Sequence, residues 1–348
     1  MEGRFSEIEI TNFRGFDYLK IENLRKLNVF VGANNVGKTS ILEAVFMLAG
    51  MSNPLISNRV NYLRTLLTNN IDTARYLFHN VDFTNKPLLK GTIGDVTRRL
   101  TFAPAMISDE SDASSNNSLS RFAIRRLNFD FDTKGEGQFD FHTKLVAKND
   151  GSLQQTDAPG YKENVNALFI PVDKNDSSAA ANFSLLVKRN RKQWVVDALH
   201  DFDASIESIE ALPDGLYLKI KDLQELLPIG MAGDGVRRMI SIISAIAYES
   251  CNIVLIDEID NGMHYSAHKL MWNVILQFIE KHDIQLFVTT HNWDCLLGLR
   301  NVMQEHEEFQ DLANIYTIAK TQREGFQAYC YDYSNLDNAI DNEIEIRR

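Results

Sequence analysis

The sequence predicts an α/β protein: a mostly parallel core sheet joined by an antiparallel β subdomain and an inserted middle region. Three observations lead there. From residue 226 onward, strand-like and helix-like segments alternate, the pattern of parallel strands connected by helices. The apolar-rich segment Leu27–Val31 runs directly into a glycine-bearing loop and then a helix. Between 90 and 147, aromatic residues alternate with polar ones, as in antiparallel strands with one face covered.

Taken in order, Phe5, Ile8 and Ile10 are separated by polar residues and mark a first strand, and Asp17–Ile21 reads as its return. Leu27–Val31 is a third strand, followed by a helix carrying Ile41, Leu42, Val45, Phe46 and Ala49 at helical spacing. Residues 59–79 look helical but mixed. Leu127, Phe129 and Phe131, then Phe139, Phe141, Thr143 and Leu145, form alternating strands. Six serines, two asparagines and three acids against one leucine in Ser108–Ser120 predict a mobile loop. Lys148–Glu163 is a second polar connection, Phe183–Asp203 returns to helical spacing, and Gly215–Leu223 reads as a short strand. The C-terminal part reads as helix Val236–Tyr248, strand Ile253–Ile256, helix Tyr265–His282, strand Ile284–Thr290, then helix, with a last helix in the acidic tail 332–345. There is no fixed-period repeat and no heptad pattern, so the middle region is not a coiled-coil arm.

Apolar residues make up 44% of the 348 and charged residues 24%, enough to bury a sizeable core. Lys plus Arg minus Asp plus Glu is 36 − 47 = −11, which excludes a protein that coats nucleic acid by bulk charge while leaving a local basic patch open. Cys251, Cys295 and Cys330 are too scattered for a disulfide framework or a zinc site. The N-terminus has no signal-peptide pattern, and the longest apolar run, Ile41–Met51, contains Glu43. A cytoplasmic protein with no membrane contact is expected.

Chemistry concentrates in four places. Gly32-Ala33-Asn34-Asn35-Val36-Gly37-Lys38-Thr39 is a complete GxxxxGK[ST] loop between a strand and a helix. Its glycines let successive backbone N–H groups face phosphates, and the helix N-terminus adds positive potential. Lys38 would reach the β and γ oxygens, and the Thr39 hydroxyl would ligate Mg²⁺. Asn34, Asn35, Val36, Gly37, Lys38, Thr39 and Ser40 are therefore candidate ATP-binding residues. Second, Ile253–Ile256 ends in Asp257 and Glu258, two carboxylates at the C-terminal end of a buried strand. Acids at a strand end are common by themselves. Downstream of a phosphate loop, Asp257 reads as a Mg²⁺ ligand and Glu258 as the base that polarises the attacking water. Third, His291 follows the next strand. A histidine there is often structural, but its place beside the acidic strand reads as a γ-phosphate sensor. Fourth, Gly230-Met231-Ala232-Gly233-Asp234-Gly235 precedes a helix, with Asp234 a candidate N-cap. This is either a capped helix after a loop or a helix end aimed at a phosphate bound by a second subunit.

These motifs, in this order, resemble ABC-type P-loop ATPases of the SMC, RecF and OLD group. More narrowly they resemble the stand-alone AAA-family ATPases of bacterial anti-phage systems, which act beside a separately encoded effector. Asn12-Phe13-Arg14-Gly15-Phe16, Ile41-Leu42-Glu43-Ala44 after the loop, Gly233-Asp234-Gly235-Val236-Arg237-Arg238, Ile256-Asp257-Glu258-Ile259-Asp260-Asn261-Gly262-Met263-His264, Thr289-Thr290-His291 and Glu345-Ile346-Arg347 carry the resemblance. It implies a homodimer sandwiching ATP. Lys38, Thr39, Asp257, Glu258 and His291 of one subunit would then face Asp234 and Gly235 of the other, with Arg14 near the phosphates. The implied function is a Mg²⁺-dependent ATPase acting as a switch or scaffold for an effector, a nuclease or toxin, in anti-phage defence. The alternative is a RecF-like DNA-binding ATPase of repair. Differences from the pattern are visible. Ala232-Gly233-Asp234-Gly235 replaces a serine-glycine-glycine signature, Asn292 stands where a serine is usual, and no glutamine loop is evident. The missing serine signature also argues against a transporter subunit. Only 57 residues follow His291, so no fused nuclease domain is expected. The expected division is an N-terminal lobe 1–58, an inserted region 59–225 that is helical and then β-rich, and a C-terminal lobe 226–348.

Two other features have bland readings. Lys188, Arg189, Arg191 and Lys192 before Trp194 read more readily as a solvated helix face than as a nucleic-acid contact. Arg125-Arg126 reads likewise. His264 and His268 lack the intervening glutamate of a zinc motif and read as surface residues.

Overall fold

The computed structural model describes residues 3–64, 66, 71–105, 124–148, 150–172, 176–247 and 252–347. The loop expected to be mobile at 108–120 lies outside them, as do Tyr248 and Cys251. The chain divides into two compact units, one of Met1–Asn23, Asn35–Val165 and Ala319–Ala328, the other of Leu24–Asn34, Asn166–Ile318 and Tyr329–Arg348.

The first unit is built on a seven-stranded antiparallel sheet. Its strands are β1 (Phe5–Phe13), β2 (Phe16–Ile21), β4 (Leu88–Ile93), β5 (Val96–Pro104), β6 (Arg126–Asp132), β7 (Phe141–Ala147) and β8 (Leu153–Gln155), in the order β2-β1-β4-β5-β6-β7-β8. Helix α1 (Lys38–Ala49) packs against β1, β4 and β5. The packing is close enough that a Cβ on Gly91 of β4 would lie 2.7 Å from Leu48 Cδ2 and from Phe5. Almost every residue of α1 from Ser40 onward is buried, so the helix reads as apolar nearly all round. The mixed stretch 59–79 resolves into α2 (Leu55–Tyr62) and a 3-10 segment Ile71–Leu77. A buried ion pair, Arg99 with Asp132, and the cluster Arg98, Tyr161 and Glu163 join strand to connection.

The second unit carries the parallel sheet, in the order β16-β15-β3-β14-β13-β9. Its members are β3 (Leu27–Val31), β9 (Ala167–Ile170), β13 (Ile253–Ile256), β14 (Gln285–Thr289), β15 (Ala313–Thr321) and β16 (Gly325–Tyr331). Five of these strands are mutually parallel, from β15 to β9. The helices are α3 (Asp176–Lys188), α4 (Lys192–Phe202), α5 (Asp234–Ile246), α6 (His268–Lys281), α7 (Trp293–Glu305) and α8 (Tyr333–Asp341). The helical stretch expected over 183–203 breaks between α3 and α4, where Asn190 takes φ 58°. A small antiparallel sheet of β10 (Ile206–Leu212), β11 (Gly215–Ile220) and β12 (Leu227–Pro228) completes the unit. Val29, Val254, Ile256, Leu286 and Val288 share one buried cluster with Met239, Ile243, Met271 and Trp272 from the helices. No helix among the described residues is long and apolar enough to cross a membrane.

Candidate nucleotide site

Three adjacent parallel strands end side by side. Val29 pairs with Val288 and Ile256 with the same Val288, so β3, β14 and β13 finish level with one another. Their C-terminal ends release, in spatial order, the start of the phosphate loop at Gly32, then Thr290-His291, then Asp257-Glu258. Ligands in open parallel sheets bind at this edge, because loops leave the strands there and helix N-termini point toward it.

The phosphate loop is shaped by positive φ angles at Gly32 (146°), Asn35 (64°) and Gly37 (97°). Gly37 is the residue preceding α1, and a Cβ there would fall 2.5 Å from Phe16 Cζ, so only glycine fits. Asn34 and Asn35 are exposed, Val36, Lys38 and Thr39 partly so, and Ser40 is buried in the first turn of α1. Behind that turn lies Glu43, fully buried, gripped by two arginines. Arg14 Nε donates to Glu43 Oε2 at 3.0 Å, while Arg64 Nε donates to Oε1 at 2.6 Å and Arg64 Nη2 to Ser40 Oγ at 3.0 Å. Arg14 sits in a β1–β2 turn with φ 55°, its Nη1 on the Tyr76 carbonyl at 3.1 Å. Its Nη2 is buried with no partner among the described residues. Burial holds the Arg14 pKa below the usual arginine value despite the Glu43 carboxylate.

On the sheet edge, Thr289 organises the acidic pair. Its hydroxyl donates to Asp257 Oδ1 at 2.6 Å and accepts the Glu258 N–H at 2.8 Å. Glu258 adopts φ 45°, a left-handed turn rare for a residue with a side chain. Its carboxylate is partly exposed, and Oε1 lies 3.8 Å from His291 Nδ1. Thr290 donates to Asp260 at 2.7 Å. The His291 carbonyl accepts from Arg347 Nη1 at 3.0 Å, and Arg347 is stacked over Trp293 and paired with Glu345. The terminal Glu-Ile-Arg motif thus clasps the histidine. Asn292 caps α7 by accepting the Asp294 N–H at 2.9 Å, the job a serine would also do.

The glycine-rich turn before α5 departs from expectation at Asp234. The N-cap is Gly233, with extended backbone; Asp234 begins the helix and pairs with Arg237. Its charge complements the helix dipole but does not cap the backbone. Gly235 lies 3.6 Å from the Gly262 carbonyl by its would-be Cβ, and a Cβ on Gly262 (φ 76°) would come 3.0 Å from Asp234 Cβ. The turn therefore rests on the loop that follows Asp257-Glu258. His268 corrects the surface reading given to it: it is 1% exposed, held where Gly298 lets α7 approach α6, and both ring nitrogens lack partners among the described residues. His264 is exposed and bonds Ser266. Lys188, Arg189 and Arg191 are exposed at the α3–α4 turn, and Lys192 pairs with Glu210 at 2.5 Å. Thr289 and Arg238 stand in segments that carry the family resemblance but were given no role from the sequence; Arg238 turns out to be buried at 5% exposure.

Comparison with known proteins places this arrangement. The AAA ATPase domain family matches residues 4–92 and 107–296. An ATP/GTP phosphatase of Helicobacter pylori is 24% identical across 97% of this chain and 98% of its own. The DNA replication and repair protein RecF of Lactococcus lactis subsp. cremoris is 46% identical over 46 residues, 13% of either chain. Among solved structures, an SMC head bound to the C-winged helix domain of ScpA superposes with a TM-score of 0.51 at 11% identity, covering 97% of this chain and 99% of that one. The P-loop ABC-ATPase fold is thus shared with SMC heads, and the chain belongs to the AAA ATPase domain family.

Proposed function

We propose that this ATPase closes head to tail on ATP and Mg²⁺ as a homodimer in the cytoplasm. The ATP-held dimer acts as a switch or scaffold for a separately encoded effector, a nuclease or toxin, in bacterial anti-phage defence. In this reading residues 1–58 and 226–348 supply the ATPase lobes and 59–225 an inserted region. The observation that carries the nucleotide part is the level sheet edge, where Gly32, His291 and Asp257-Glu258 leave three neighbouring strands. The effector part rests on the sequence resemblance.

Lys38 and the N–H groups of Asn34–Ser40 hold the phosphates, with Arg14 adding positive charge beside them. Thr39 and Asp257 would hold Mg²⁺, which supplies charge neutralisation of the phosphate oxygens when bound. The donor set fits that ion. Mg²⁺ on a nucleotide takes one or two protein oxygens and completes its shell with phosphate and water. Glu258 orients and deprotonates the attacking water, and His291, 3.8 Å from it, donates toward the γ-phosphate. Asp234 and Gly235 meet the nucleotide of the second copy.

Glu258→Gln should retain ATP binding and slow hydrolysis by on the order of a hundredfold or more; turnover at the wild-type rate would remove the base assignment. Affinity capture of the tagged chain at native expression, with neighbouring genes present, tests the biology. A stoichiometric nuclease-like or toxin-like partner supports the switch. A bare dimer with DNA-stimulated hydrolysis, and a salt-dependent DNA affinity lost on changing Lys188, Arg189, Arg191 and Lys192, favours the RecF-like reading.

A further inference from the structure

We infer that Arg238 is a positioning residue for hydrolysis: it fixes the Asp257-Glu258 turn from behind and ties the helix that begins at Asp234 to the orientation of the base. This rests on the assignment of Glu258.

Arg238 lies one turn into α5, 5% exposed. Its guanidinium gathers three backbone carbonyls from two strand ends. Nη2 donates to Asp257 O at 2.5 Å and Glu258 O at 3.1 Å, and Nη1 to Pro171 O at 2.8 Å. The planar fork of donors reaches all three carbonyls at once, from two separate nitrogens. The geometry matters because Glu258 sits at φ 45°, outside the basins an ordinary side chain prefers. Such a turn persists only where its surroundings hold it. Here Thr289 Oγ1 takes the Glu258 N–H and Arg238 takes the Glu258 C=O, so the peptide groups on both sides of its Cα are pinned and the carboxylate direction follows. Burial lowers the Arg238 pKa to about 10, opposed by Asp257, Asp260 and Glu258, which keeps the group cationic at neutral pH.

The same side chain links two parts of the unit. Asp234 and Gly235 open α5 and rest against the Gly262 loop, and Arg238 is the next residue on that helix whose side chain reaches the acidic strand. A shift of α5 would therefore be passed to the Glu258 carbonyl.

The test compares Arg238→Met and Arg238→Lys in the full chain, alone and combined with Glu258→Gln, by steady-state ATPase, binding of a fluorescent ATP analogue and thermal unfolding. R238M should lower kcat by on the order of tenfold or more while nucleotide affinity stays within about twofold. R238K, which keeps the charge and three donors on one nitrogen but lacks the spread of the fork, should recover part of the loss. In the E258Q background R238M should cost nothing further. Wild-type kcat in the Arg238 variants, an equal further loss in the E258Q background, or loss of nucleotide binding together with a lowered midpoint would each overturn the proposal. If R238M does not fold, R238K decides, and an unchanged kcat there is fatal to it. Full activity in E258Q sinks the base assignment itself, whereas an inactive E258Q beside a fully active R238M sinks only the role given to Arg238.

Discussion

Glu43 shows how much of the nucleotide loop's support lies beneath it. A carboxylate with no exposed surface balances Arg14 and Arg64, and the same arginine pair reaches Ser40 and the Tyr76 carbonyl. Removing the carboxylate leaves Arg14 buried and uncompensated, so Glu43→Ala should cost about 3 kcal/mol of stability, read as a lowered denaturant midpoint. A midpoint unchanged from wild type would mean that water or a rearranged Arg14 replaces the pairing. At this scale the sequence shows which residues could bind phosphate, because GxxxxGK[ST] encodes backbone shape and charge locally. It does not show what supports them. Arg238 closes the Gly233–Arg238 segment that carries the resemblance, yet its carbonyl partners at 171, 257 and 258 come together only in the fold. His268 reads as solvent-facing for the same reason: its burial depends on Gly298, thirty positions away on α7.

Elements were legible where their pattern was local and strong. The strand before the acidic pair stands out as an unbroken apolar run, and the strand before the phosphate loop as an apolar-rich one interrupted only by Asn28. By contrast, β9 is only Ala-Leu-Phe-Ile, too short to separate from a buried turn, and it becomes a strand by pairing with β13. In β15, Asn314 and Thr317 interrupt the apolar run, yet both are buried, Thr317 by donating to the Ile346 carbonyl. Polar residues with hidden partners look like loop residues in sequence. The α4–α6 contact carries a pH prediction. Trp194 packs on Phe278 with centroids 4.1 Å apart, and Phe278 stacks on His282 at 4.0 Å. Burial, then the positive charges of Arg191, Lys26 and Lys281, lower the His282 pKa from its ordinary 6.5. A histidine depressed in the folded state binds its proton more readily when unfolded. Its contribution is thus complete above pH 6.5 and is lost as pH falls from there through the lower folded value. His282→Gln should flatten that part of the stability–pH curve; an identical slope in wild type and variant would show that His282 contributes nothing to it.

For the whole molecule, the decisive property is assembly. One chain carries both a phosphate loop and a glycine-rich helix start, and in a two-fold pair each would serve the other's nucleotide, residue i meeting j and j meeting i. The surface beside these features is apolar where a lone subunit would gain from charge. Met231, three residues before Asp234, is 74% exposed, and Tyr265, just beyond the Gly262 loop, is 64% exposed. With a net charge of −11, two copies would approach against mutual repulsion, so the proposed closure would depend on cations at the interface. Glu258→Gln held with ATP and Mg²⁺ should therefore double its mass by light scattering. The same protein with ADP should stay at 39.6 kDa, and so should the Lys38→Ala/Glu258→Gln double variant. Adding Met231→Asp to Glu258→Gln should prevent doubling without changing ATP affinity, because in the proposed pair this exposed side chain would face the second copy and not the nucleotide held by its own chain. A mass of one subunit under every nucleotide condition, with ATP demonstrably bound, would rule out the sandwich and with it the exchange of Asp234 and Gly235 between subunits.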